Sequence, residues 1–142
     1  MTGFRLATRM MRVLVISPEP GLEEFLRREL SPADFEVLGA RPGPAVLQTA
    51  RGKRPEIAVV HRIDTRHEVA ALELAILRDI RPDVRIILVS GVPSPEDALL
   101  LEAGVFYYLA ASPPLRLPEL VRAAAASILQ ETSAKVRQGE LR

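Results

Sequence analysis

The chain has 142 residues, of which 48% are hydrophobic and 26% charged, and its formal net charge at pH 7 is +1. This composition predicts one domain with a sizeable core, and the scattered basic residues do not form the clustered face of a nucleic-acid-binding protein. Without cysteine there are no disulfides, zinc thiolate sites or thiol catalysis, and no apolar stretch approaches the ~20 residues that span a bilayer. We expect a cytoplasmic protein that binds neither nucleic acid nor membrane.

The predicted domain occupies residues 12–130. Residues 1–11 lack an apolar block long enough for a signal peptide, so we expect a short flexible lead there. Met10 or Met11 is an alternative start to Met1. Residues 131–142 are polar and predict a tail. The last helix has an apolar stripe that would form a dimerising linker if it continued past Gln130, but the polar tail does not clearly continue it.

Five short apolar runs alternate with segments of helical periodicity. The runs predict strands near residues 13–16, 35–38, 57–60, 84–89 and 106–109, and the segments between them predict helices near 21–30, 44–51, 65–80, 95–103 and 118–130. The third run is short and continuously apolar, which is typical of a central strand that is buried on both faces of a parallel sheet.

The fourth helix has the clearest boundary signals. Ser94 is a candidate N-cap, Pro95 falls at the first helical position, and Asp97 follows three residues after the cap. Gly104 is typical of the left-handed residue that ends a helix.

Alternating strands and helices predict a parallel sheet with helices on both faces. Right-handed crossovers leave few topologies, and the natural one is a three-layer, flavodoxin-like (βα)5 sandwich with strand order 2-1-3-4-5. The ends of the first and third strands are neighbours in that order. A site would therefore lie at the switch point beyond their carboxyl ends.

Four segments, in this order along the chain, resemble strands of one protein family. They are Arg12–Pro20 (RVLVISPEP), Arg54–His61 (RPEIAVVH), Ile87–Gly91 (ILVSG) and Ala103–Ala111 (AGVFYYLAA). On these residues the chain resembles the receiver domains of bacterial response regulators, the CheY-like domains, from about Arg12 to Leu129.

The resemblance implies an acidic pair that holds Mg²⁺, a phosphoacceptor aspartate, a hydroxyl residue and a lysine. Ser17 and Pro18 stand at the acidic pair, His61 at the acceptor and Ala111 at the lysine, while Ser90 keeps the hydroxyl. Mg²⁺ prefers carboxylate and water oxygens, and an acyl phosphate needs a cation beside it. We therefore predict no phosphorylation, no metal, no cofactor, no catalytic residue and no enzymatic activity.

Two residues of the third loop have alternative interpretations. His61 is either a structural histidine, which we favour, or a phosphohistidine or pH-sensitive contact. Asp64 is either a loop residue or helix cap near Thr65, which we favour, or a displaced acceptor. His61, Asp64 and His67 could also be interpreted as a metal cluster. Two histidines in a loop without a third firm ligand are a weak metal-site signal, which favours a solvated loop instead.

The departures from the family predict a phosphorylation-independent interaction module in bacterial two-component-type signalling. By analogy with the family, it would dock a protein partner or itself through the face formed by the fourth helix, fifth strand and fifth helix. Leu99, Leu100 and Leu101 cannot all be buried on one side of a helix, so the unburied one is a candidate contact or a scattered surface leucine. Ser90 and Tyr108, which matches the aromatic switching position of the family, form a candidate switch, although simple packing is favoured.

A second function remains open on the same residues. The chain would then be an unorthodox response regulator or a small-molecule sensor, with a rebuilt pocket at the switch point that uses His61, Glu19 or Asp64. Such a pocket would bind Mg²⁺ with a phosphate mimic, whereas a docking module would ignore both.

Overall fold

The computed structural model describes residues 10–63 and 67–139, apart from the side chain of His67. In chain order the elements are β1 (Met11–Ile16), α1 (Pro20–Glu29), β2 (Phe35–Ala40), α2 (Pro44–Lys53), β3 (Ile57–Arg62), α3 (His67–Ile80), β4 (Arg85–Ser90), α4 (Asp97–Glu102), β5 (Tyr107–Ala110) and α5 (Leu117–Arg137). Residues 1–9 of the predicted lead, the last three residues of the predicted tail and the predictions for Asp64, Thr65 and the His67 side chain lie outside the described residues.

The five strands form one parallel sheet in the order β2-β1-β3-β4-β5, so the predicted fold class is confirmed. The inner strand β1 pairs with the edge strand β2 on one side and with the central strand β3 on the other, so that Val13 lies between Val37 and Ile57. Helices cover both faces of such a sheet, and its central strands are therefore buried throughout. Residues 13–16, 57–60 and 86–89 are almost completely buried.

Each face of the sheet has its own hydrophobic cluster, because successive strand side chains point to opposite faces. Val13 and Val15 pack with side chains of α1 and α5 on one face. Leu14 and Ile16 pack with α2, α3 and α4 on the other. The resulting three layers bring the carboxyl ends of β1 and β3 side by side at one edge, where the sequence predicts a site.

The start of α4 differs from the sequence prediction, because Ser94 is not its N-cap. The helix begins at Asp97 with Glu96 in the cap position and no side-chain cap. The Ser94 hydroxyl has one tertiary and one local partner instead: it accepts a hydrogen bond from Arg62 and donates one to Glu96. Half of the predicted capping box is present, since the Asp97 carboxylate accepts the Ser94 N–H at 3.3 Å. Gly104 is left-handed as predicted, with φ +94°.

The last helix is longer than predicted, because α5 continues to Arg137 through most of the predicted polar tail. Adding residues to the end of a formed helix avoids the free-energy cost of helix nucleation. The added residues are mostly solvent-exposed, so they need no apolar face to pack against the core. Arg85 of β4 also contacts the extension, with its Nη2 lying 3.2 Å from Glu131 Oε1. The boundary at residue 130 was therefore wrong for the helix.

Candidate functional site

A serine and a histidine occupy the switch point at the carboxyl ends of β1 and β3. The Ser17 hydroxyl lies 2.9 Å from Nδ1 of His61, and it accepts the backbone N–H of Glu19 at 3.0 Å. Ser17 is buried and His61 is partly buried. The positions predicted to replace one acid and the phosphoacceptor are thus in direct contact, and they form a neutral hydrogen-bonded pair.

The hydrogen bonds of Ser17 indicate the tautomer of His61. A hydroxyl has one proton and two lone pairs, and one lone pair already accepts the Glu19 N–H. If Nδ1 donated to Ser17, the buried hydroxyl proton would have no acceptor among the described residues. An unsatisfied buried donor is costly. We therefore assign the hydroxyl as the donor to Nδ1, which places the imidazole proton on Nε2.

Burial lowers the pKa of His61 below its ordinary value, although the negative charge of Glu19 acts in the opposite direction. Burial has this effect because a partly desolvated imidazole favours its neutral form. The net result supports the neutral Ser17–His61 pair near pH 7.

Pro18 and Ala111 supply no charge at this edge. The carbonyl of Pro18 accepts a hydrogen bond from Arg41 at 2.9 Å, so this residue acts through its backbone. Ala111 follows directly after Ala110, which pairs with Ser90 in the register of β4 and β5. Among the residues that the structure describes, no group of three His, Asp or Glu side chains is placed to hold a metal ion. Asp64, the displaced acceptor considered above, lies outside those residues.

A second polar cluster lies beneath α4, and its central residue is an arginine that sequence reasoning missed. The side chains of Arg62 and Asp97 are only 2% and 5% exposed, and Nη1 lies 3.4 Å from Oδ1. Arg62 Nη2 also donates to the Ser94 hydroxyl at 3.1 Å. The Tyr108 hydroxyl donates to Oδ2 of Asp97 at 2.6 Å. We call Arg62, Ser94, Asp97 and Tyr108 the α4 network.

Strand alternation contains the signal that would have located Arg62. Arg62 has the same parity in β3 as Ala58 and Val60, which both face the cluster beneath α2, α3 and α4. A charged residue on that face needs a buried partner of opposite charge. Asp97, interpreted above only as part of a helix cap, is that partner.

The α4 network shifts the pKa values of its two titratable partners in opposite directions. Burial alone would raise the pKa of Asp97, but hydrogen bonds from Tyr108 and the Ser94 N–H, together with the nearby Ser90 hydroxyl and the charge of Arg62, lower it overall. Burial raises the pKa of Tyr108, and its hydrogen bond to Asp97 adds to the effect. Asp97 is therefore an ion and Tyr108 a neutral donor at neutral pH.

The candidate switch and contact residues have different surroundings. The Ser90 hydroxyl influences both Asp97 and Tyr108, yet it is completely buried and makes no hydrogen bond of standard geometry to any residue that the structure describes. Tyr108 thus bonds to Asp97 rather than to Ser90. Leu99 and Leu101 are 57% and 40% exposed, whereas Leu100 is 2% exposed and belongs to the core. Leu100 is consequently removed from the candidate contacts.

Several solved structures share this architecture. A CheY-like receiver domain protein from Methanospirillum hungatei JF-1 has a TM-score of 0.70 and 20% identity, covering 87% of this chain and 99% of that one. The receiver domain of a modulated diguanylate cyclase from Desulfovibrio desulfuricans G20 has a TM-score of 0.68 and 19% identity, covering 89% and 99%. A response regulator from Burkholderia pseudomallei with a phosphorylated aspartic acid has a TM-score of 0.64 and 25% identity, covering 87% of this chain and 73% of that one.

The chain has the receiver-domain fold of CheY-like response regulators. No family model matches it, and no curated protein matches its sequence. Within the receiver fold, the four segments that carry the sequence resemblance lie on β1, β3, β4 and β5 in the expected order. None of the receiver-fold helices in the described ranges has the length and apolar character of a membrane span.

Removing the buried arginine of this receiver fold should strongly destabilise it. We expect Arg62→Met to lower the free energy of unfolding by roughly 3–5 kcal/mol, because it leaves the Asp97 charge buried without compensation. Chemical denaturation measures the change. Arg116→Met is the matched control, since the Arg116–Glu119 pair is solvent-exposed and its loss should cost at most about 1 kcal/mol. Equal losses in the two variants would contradict the assignment.

The protonation of His61 provides a second test. We expect its ring to titrate below 6.5, its ordinary value, and to have its neutral proton on Nε2, as measured by ring ¹⁵N shifts in NMR. The unfolded state then binds protons more readily, so stability should fall as the pH drops below 6.5 towards the folded-state pKa. His61→Phe should remove this dependence, and Ser17→Ala should remove the tautomer preference. A neutral ring protonated on Nδ1 would refute the assignment.

Proposed function

We propose that this chain is a phosphorylation-independent, receiver-like interaction module of bacterial two-component-type signalling. It binds a protein partner or a second copy of itself through the face formed by α4, β5 and α5, and it acts in the cytoplasm without enzymatic activity. The receiver fold supports a role in two-component signalling. Independence from phosphate and the choice of face are the specific parts of the proposal.

The residues at the switch point support independence from phosphate. Phosphoryl transfer to a receiver needs a carboxylate nucleophile, a metal held by acidic oxygens and a cation beside the product. The corresponding positions contain His61, the uncharged pair Ser17 and Pro18, and Ala111. The neutral Ser17–His61 hydrogen bond occupies the place where these charges would meet.

The α4 network is the observation that carries the proposal. Tyr108 matches the aromatic position that the receiver family uses in switching, and here its hydroxyl donates to the buried carboxylate of Asp97 at 2.6 Å. Arg62 compensates that carboxylate from the end of β3. Groups of the protein itself thus hold Tyr108 and the start of α4 in one arrangement. A face held in this way is available for binding without a phosphoryl group.

The exposed leucines of α4 make this face suitable for a protein contact. Leu100 points into the core, and the neighbouring Leu99 and Leu101 flank it at the surface. Apolar side chains that pack into a partner's pocket contribute much of the binding energy of an interface. The arrangement therefore fits docking of α4 against a partner that buries one or both leucines.

A phosphate mimic tests the independence from phosphate. We expect Mg²⁺ with beryllofluoride to cause no saturable shift of the amides of Ser17, His61 or Ser90 in ¹H–¹⁵N spectra. The positive control restores the family residues with Ser17→Asp, Pro18→Asp, His61→Asp and Ala111→Lys together, and it should respond to both reagents. Saturable shifts in the unmodified chain, spreading to Tyr108, would overturn the proposal.

Photo-crosslinking in cells tests the docking face. A benzoylphenylalanine at position 99 should capture a protein or a second copy of the chain. The same residue at position 72 should not, because Leu72 is equally exposed but lies on α3. Leu101→Glu should greatly reduce the yield at position 99, because a charge opposes burial in an apolar interface. Equal products from both positions would refute the proposed face.

A further inference from the structure

A cavity lies at the carboxyl edge of the sheet, and His61 of the Ser17–His61 pair is one of its lining residues. Its volume is about 340 Å³, which is within the range of small-molecule pockets. The first half of α1 and the loops after β1, β3, β4 and β5 contribute its walls. Its lining is largely apolar and includes Leu22, Phe25, Ile63, Val92, Pro113 and Leu115.

Only a few polar side chains line the described part of the cavity. His61 and Glu19 both line it, together with Ser112. Nδ1 of His61 is occupied by Ser17, so Nε2–H is the free donor of the ring. A Cβ built at Gly91, another lining residue, would lie 3.8 Å from Nε2. The donor therefore faces the space beside Gly91, inside the cavity.

The charges around the cavity disfavour an anion. Glu19 is the one charged side chain among the lining residues that the structure describes, and no lysine or arginine is among them. An anionic ligand such as a phosphate would meet a carboxylate without any compensating cation. An apolar wall with one neutral donor instead favours an uncharged molecule that presents a hydrogen-bond acceptor.

We propose that this cavity binds a small, uncharged and largely apolar molecule, whose carbonyl or hydroxyl oxygen accepts a hydrogen bond from Nε2–H of His61. The apolar body of the ligand packs against Leu22, Phe25 and Pro113. Val92 and Leu115 line the cavity and are large, exposed hydrophobic residues, and a bound ligand covers them. The carboxyl edge of the sheet at His61 thereby becomes a site for a neutral effector.

This site is independent of the proposed docking face. The cavity opens at the loops beyond the strands, whereas the proposed contacts Leu99 and Leu101 lie on α4 and are not among its lining residues. A failure of ligand binding leaves the crosslinking result unchanged, and a failure of docking leaves the cavity unchanged.

Three probes of similar size test the chemistry of the site by ¹H–¹⁵N NMR titration of the intact chain. Acetophenone has an aromatic body and a neutral acceptor, ethylbenzene lacks the acceptor, and benzoate is an anion. We expect acetophenone to give saturable shifts at Gly21, Gly91 and Ser112 with a Kd of about 1 mM or below. Ethylbenzene should bind several-fold to about tenfold more weakly, because it leaves Nε2–H without an acceptor. Benzoate should bind no better than ethylbenzene.

Two variants locate the binding in the cavity. Gly91→Leu should abolish the acetophenone shifts by filling the space beside Nε2; its backbone is not in the left-handed region, and its Cβ would make only ordinary contacts. Gly52→Leu is the matched control, because Gly52 lies in α2 with open space around it, and it should bind acetophenone normally. His61→Phe keeps a ring but removes the donor, so acetophenone and ethylbenzene should then bind equally.

Each opposing result has a clear meaning. The absence of saturable shifts with acetophenone overturns the proposal, as does binding that survives Gly91→Leu. Equal affinity of the unmodified chain for acetophenone and ethylbenzene overturns the role of His61 as donor. Tighter binding of benzoate than of acetophenone overturns the preference for an uncharged ligand.

Discussion

One buried guanidinium determines how α4 is attached to this domain. Arg62 is the last residue of β3, and its side chain lies on the face that α2, α3 and α4 cover. Its charge is therefore in a region of low dielectric, where an isolated ion is strongly disfavoured. The compensating groups come from separate parts of the chain: Ser94 from the loop after β4, Asp97 from α4 and Tyr108 from β5. Since α4 has six residues and no side-chain cap, its position depends on these contacts more than on its own helical stability.

The switch point is stable for a different reason. A cluster of carboxylates at the end of two adjacent strands would repel itself unless a cation were bound. Here a hydroxyl and an imidazole satisfy each other, and Glu19 contributes its backbone N–H to the same hydroxyl. No compensating ion is needed, which leaves the space above free to be lined by apolar side chains. The uncharged residues at the switch point and the apolar lining of the cavity are thus parts of the same arrangement.

The sequence was sufficient for the topology and for bringing the ends of the first and third strands together. Continuous apolar runs such as Val13–Ile16 indicate buried parallel strands, and their alternation with helices leaves few possible arrangements. The contact between Ser17 and His61 follows from that topology, because adjacent parallel strands end at the same edge. Such sequence patterns predict the structure correctly where the tertiary environment favours the same conformation as the local sequence.

The features that were missed depend on tertiary contacts. Ser94 looks like an N-cap, but Arg62 and Glu96 occupy its hydroxyl. The polar residues after Gln130 look like a tail, yet an exposed helix accommodates them and Arg85 contacts one of them. The burial of Arg62 and the cavity over His61 arise only when loops from several strands come together, so no short segment contains them.

The strand order has a consequence for the way in which this chain is synthesised. β1 pairs with both β2 and β3. Once the first half of the chain has left the ribosome, all three strands of this contiguous part of the sheet are therefore available to pair. Arg62 is the last residue of that unit, and its carboxylate partner emerges only later, with α4. Until Asp97 arrives, the nascent half lacks this ion pair. Docking of the second half therefore forms the Arg62–Asp97 contact and couples the two halves into one cooperative unit.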